Sequence, residues 1–121
     1  MKFTIKTSTV PIELENAETG KVENYTLREM TAAERGRFID GQRANMITNS
    51  EGKAIGVRKI EAIHADLLCV CLLDADGKKV PKEVIQDWPA GLVDSLYAEA
   101  QKINNLGKAA EDNAVADAKN V

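Results

Sequence analysis

His64, Cys69 and Cys71 sit close together in IEAIHADLLCVCLL and are the side chains best suited to chemistry in this sequence. A structural zinc site takes more thiolate and imidazole ligands than these, and His64 is the one histidine in the chain. Cys69 and Cys71 are separated by one residue, so a helix points them in nearly opposite directions. They read as two small buried hydrophobes without metal, reduced as in a cytoplasm. Glu61 and Asp66 flank His64 closely enough to sketch a proton relay. With no second histidine, though, the stretch is not a metalloprotease helix. A structural or surface histidine is the simpler reading.

The run DADGKKVPKEVI resembles a calcium loop only at its start. An EF-hand needs a ligand at position five, glycine at six and glutamate at twelve. Counted from Asp74, those places hold Lys78, Lys79 and Ile85, and Gly77 comes too early. The segment reads instead as an Asp-Gly turn. Ser8, Ser50 and Ser95 lie outside any nucleophile elbow. GKVENY and EGKAIG lack the spacing of a phosphate-binding loop. NYT, at residues 24–26, matches a glycosylation acceptor but follows no secretory signal. The carboxylates are scattered over polar faces. The sequence offers no case for catalysis and implies no cofactor.

The elements that would position these groups are legible in the patterning. The chain has 121 residues, a single domain's length, with 44 % apolar and 29 % charged residues and a net charge of −3. Aromatics are 4 % and no Lys/Arg run occurs, which argues against a nucleic-acid surface. The longest strongly apolar run, residues 67–73, is too short to span a bilayer. The N-terminus lacks the apolar block of a signal peptide, so the expected location is a cytoplasm.

Residues 2–30 read as strand and turn. FTIKT alternates, and VPIEL puts Val10, Ile12 and Leu14 on one face. NAETGK is a turn cluster with Gly20 near its tip. Residues 10–15 are expected to pair with 22–28 as a hairpin, Pro11 lying at an edge. Thr31 and Glu34 fit a capping box, opening a helix whose thin apolar face is Phe38, Ile39, Met46 and Ile47. A polar loop around Gly52 follows. A helix over residues 57–73 carries Ile60, Ile63, Leu67 and Cys71 at steps of three and four, and its second half is apolar all round, which predicts a central position. Val80 is extended, Pro81 starts a short helix, and Val84, Ile85 and Trp88 pack. The last helix, residues 87–107, has Asp87 as cap, Pro89 in its first turn and Gly107 as stop. Its stripe is Leu92, Val93, Leu96, Tyr97, Ala100 and Ile103. Residues 108–121 read as a flexible polar tail.

The expected fold class is therefore α+β: a small N-terminal antiparallel hairpin or sheet followed by a bundle of three to four helices. Residues 1–107 would form one domain, with a β element at 1–29 and a helical part at 30–107.

This order of parts resembles the tail assembly chaperones of long-tailed bacteriophages and related prophages. The likeness is carried by Tyr25, Leu27, Arg28 and Glu29 entering a Thr-capped helix, by the turn Asp74–Gly77, and by the final helix. In that helix Pro89, Leu92, Val93, Leu96, Tyr97, Ala100, Ile103 and Asn104 match the family's pattern. It covers residues 25–107. The resemblance implies a non-enzymatic protein of the bacterial host cytoplasm. Such a protein binds apolar segments of the tape-measure protein and keeps them soluble until the tail tube forms. It also allows contacts with other tail proteins and self-association, without nucleic acid or membrane. Many members have a longer form made by ribosomal frameshifting, which would diverge after Gly107. The alternative is a structural virion component, a small tail or head-completion protein. Met30, Phe38, Ile39 and Met46 are the expected client-binding residues, since a promiscuous binder needs adaptable apolar surface.

Overall fold

The computed structural model describes residues 1–106, except for the side chains of residues 60–62. Gly107 and the expected polar tail lie outside the described residues. Among the described residues the architecture is α+β, an N-terminal antiparallel sheet followed by four helices.

Strands β1 (Thr9–Glu15) and β2 (Val22–Arg28) form the expected hairpin, with Thr9 opposite Arg28 and Glu15 opposite Val22. Val10, Ile12 and Leu14 are half-buried while their neighbours are exposed, as alternation requires. Gly20 supplies the left-handed backbone of the turn (φ 72°), and the Asn16 side chain accepts the N–H groups of Glu18 and Thr19. Pro11 lies on an edge strand, where its missing N–H costs the sheet nothing. FTIKT, by contrast, is not a strand. The ladder stops at Glu29, whose N–H donates to the Ser8 carbonyl, and residues 1–7 find no strand to pair with among the described residues.

Helix α1 (Ala32–Asn45) starts on the expected capping box. The Thr31 hydroxyl accepts from Glu34 N–H, and the Glu34 carboxylate accepts from Thr31 N–H. The helix ends earlier than its apolar spacing implies. Met46 and Ile47 belong to β3 (Met46–Thr48), which pairs with β4 (Ala54–Val57) in a second hairpin. That hairpin falls inside the part expected to be helical.

Helix α2 (Ile60–Cys71) is shorter than expected at both ends, because Val57 pairs with Met46 and because Leu72 and Leu73 form strand β5 (Leu72–Leu73). Leu72 still donates its N–H to the Leu68 carbonyl, and then turns extended to pair with Leu27. The sheet order is β1-β2-β5. The central placement of α2 holds. Leu27, Leu67, Leu68, Cys71, Leu72 and Ile85 are the largest fully buried side chains. Burying each Leu or Ile contributes about 1.5–3 kcal/mol.

Asp74 makes the Asp-Gly turn: its carboxylate accepts from the N–H groups of Asp76 and Lys78, and Gly77 takes φ 79°. Helix α3 (Lys82–Gln86) follows Pro81. Ile85 is buried there, whereas Val84, expected to pack, is exposed because a five-residue helix has only one face on the core. Asp87 closes α3 rather than capping the next helix, its N–H donating to the Val84 carbonyl. Helix α4 (Ala90–Ile103) starts after Pro89 and buries Leu96 and Ala100 against α2.

Candidate functional site

The second hairpin and the helix that carries it expose a group of large apolar side chains within the folded body. Helix α1 buries none of its residues. It is held chiefly at its start, where Arg28 donates two hydrogen bonds to Glu34 at 2.9 and 2.8 Å and Lys79 donates a third at 3.0 Å. Those Arg28 bonds, helped by Thr31 N–H and Lys79, hold the Glu34 carboxyl well below the usual carboxylate range. At its far end Asn45 clasps the base of the hairpin. Its amide donates to the Lys59 carbonyl at 3.1 Å and accepts from Lys59 N–H at 2.9 Å.

The hairpin tip is shaped by Asn49, which accepts from Glu51 and Lys53 N–H, and by Gly52 at φ 82°. Along the strands Met46 is 41 %, Ile47 39 % and Ile55 65 % exposed. A register shift lies at Ile47–Thr48, leaving Ile55 outside the paired positions. A two-stranded ribbon with its apolar side chains in water is marginal on its own.

The four expected client-binding residues do not form one patch. Met30 is 8 % exposed and belongs to the core, so it offers no surface. It lies at the β2–α1 junction, where its N–H donates to buried Asn104 at 2.7 Å. Phe38 is half-buried against the core. With Val70 it floors a groove of about 320 Å³ between α1 and α2, rimmed by Glu34, Arg37, Asp66 and Lys79. Gln42 lines the same groove with a buried amide nitrogen that has no hydrogen-bond partner among the described residues. Ile39 is half-buried and Met46 exposed. Helical spacing places Ile47 on the apolar face of the first helix, whereas Ile55 and Val57 alternate as a strand does.

The groups suited to chemistry are engaged structurally. His64 Nδ1 lies 3.0 Å from Asp94 Oδ1, and the ring stacks on Tyr97 with centroids 4.2 Å apart. Asp66 pairs with Lys82 at 2.7 Å, and the Ser95 hydroxyl donates to the Gly91 carbonyl. Neither completes a relay through His64. Burial pushes both thiols up, Cys71 in the core and Cys69 half-buried, its Sγ donating to the Asp66 carbonyl. Among the described residues no group of three or more His, Cys, Asp or Glu side chains is placed to hold a metal ion. No described helix is long and apolar enough to cross a membrane.

A scan against protein-family models, a search of curated proteins and a search of solved structures each return no match to this chain.

Proposed function

We propose that the chain is a non-enzymatic phage tail assembly chaperone that binds apolar segments of the tape-measure protein in the bacterial host cytoplasm. The observation that carries this reading is the exposed apolar ribbon of β3 and β4 on a helix that buries none of its residues. The likeness of residues 25–107 to that family supports it. So does the structural engagement of His64 and of the two thiols.

The client surface comprises Met46, Ile47 and Ile55, the exposed large apolar side chains of the second hairpin. Fully burying each large apolar side chain contributes about 1.5–3 kcal/mol before ordering costs. Any one segment therefore binds weakly, and many copies along a long client act together. Apolar burial makes the heat-capacity change of binding negative and its salt dependence modest.

Co-expression with the tape-measure protein of the same gene cluster tests the proposal. The wild-type chain keeps that protein soluble and co-purifies with it. Met46→Asp and Ile55→Asp lose both effects while keeping the wild-type circular dichroism. Equal client solubility with and without the chain overturns the reading. Stoichiometric presence in mature particles favours a virion component instead.

A further inference from the structure

Residues 1–7 and the tip of the first hairpin are complementary, yet the fold keeps them apart. The segment MKFTIKT carries Phe3 and Ile5 two residues apart, 85 % exposed and fully exposed, with Lys2 and Lys6 on the alternate side. At the other end of the hairpin a groove of about 650 Å³ lies between the turn and the start of α4. That volume is within the roughly 300–1,000 Å³ of ordinary ligand sites. Leu14, Tyr25, Trp88 and Leu92 give it an apolar lining, with Tyr25 and Trp88 edge to face at 5.8 Å. Its rim holds Glu15, Glu18 and Glu23 against one cation, Lys21. The apolar pair suits the lining, and the two lysines suit the acidic rim.

A chain's own arm points the wrong way. Ser8 continues the ladder through Glu29, beyond the Thr9–Arg28 pair, which directs residues 1–7 away from the hairpin turn. Tyr25 of the groove lies opposite Ile12, about 14 Å along β1 from Ser8 and on the side opposite to the arm's departure. Two copies with antiparallel hairpins bring each arm to the other's groove across a two-fold axis.

We propose that residues 1–7 of one copy dock into the Tyr25–Trp88 groove of a second copy, in a reciprocal exchange. Phe3 and Ile5 face the aromatic pair, and Lys2 and Lys6 reach the rim carboxylates. The contact is independent of the client surface on β3 and β4.

The test needs no client. Trp88 is the one tryptophan of the chain, so its fluorescence reports on the groove. Sedimentation should show the full chain as a dimer that weakens with added salt. A chain lacking residues 1–7 should be monomeric with unchanged circular dichroism. If that truncation fails to fold, the full-length Phe3→Asp/Ile5→Asp variant takes its place and should be monomeric. The synthetic peptide MKFTIKT should shift Trp88 emission in the monomeric chain, and the same peptide with both substitutions should not. A full chain that stays monomeric, a dimer that survives loss of the arm, or a peptide without effect on Trp88 each overturns the proposal.

Discussion

The side-chain carbonyl of Asn104 accepts the backbone N–H of Met30 at 2.7 Å, across 74 positions of sequence. The same amide donates to the Ala100 carbonyl at 2.8 Å and approaches Cys71 Sγ at 3.4 Å. Asn104 is the one buried polar residue among the described residues, 6 % exposed, and it joins the end of α4 to the β2–α1 junction.

Replacing Asn104 by Leu keeps much of its volume and removes the acceptor. The Met30 N–H is then buried unpaired, which costs about 1–3 kcal/mol. The urea midpoint should fall accordingly, with little change in m-value. A midpoint equal to the wild type would mean that packing alone accounts for the site.

Glu34 sets an acid limit on stability. Arg28 holds its folded-state pKa below the ordinary value of about 4.3, so the unfolded chain takes up the proton first. The stabilisation is complete above that ordinary value and is lost progressively as pH falls below it. Glu34→Gln should be less stable than wild type near neutral pH, and the gap should narrow by about pH 3. Urea midpoints at both pH values decide this; a gap independent of pH would contradict it.

The thiols should react slowly and in order. Burial raises both pKa values, which keeps the thiolate fraction small at neutral pH. Half-buried Cys69 should meet Ellman's reagent before Cys71, and both should titrate fully in denaturant. Stoichiometric zinc in protein purified without chelator would defeat the metal-free reading.

The first hairpin, the capping box and the central α2 were legible because each rests on a local rule: alternation, a four-residue cap and an all-round apolar helix. The second hairpin was hidden because Met46 and Ile47 extend the helical spacing of Phe38 and Ile39. What ends α1 is the Asn45–Lys59 clasp, a contact between residues 14 positions apart that no local pattern announces. Strand β5 was hidden inside LLCVCLL, where every register looks equally apolar. Of the expected surface, Met46 could be told from Met30 only once β2 and α4 were seen to close over the latter. Asn104, Asp94 and the Arg28–Glu34–Lys79 cluster act through partners distant in sequence.

The direct passage of α2 into β5 also orders events as the chain is made. Every residue of the β1–β2 hairpin precedes α2 in the chain, but the partner of Leu27 is Leu72, at the far end of that helix. The third strand cannot arrive before that helix, because no residue separates Cys71 from Leu72. Until it does, β2 presents an unpaired edge, the kind of template that recruits foreign strands. That edge is covered at Thr26 and Leu27 in a single step, because the end of α2 delivers Leu72 and Leu73 together.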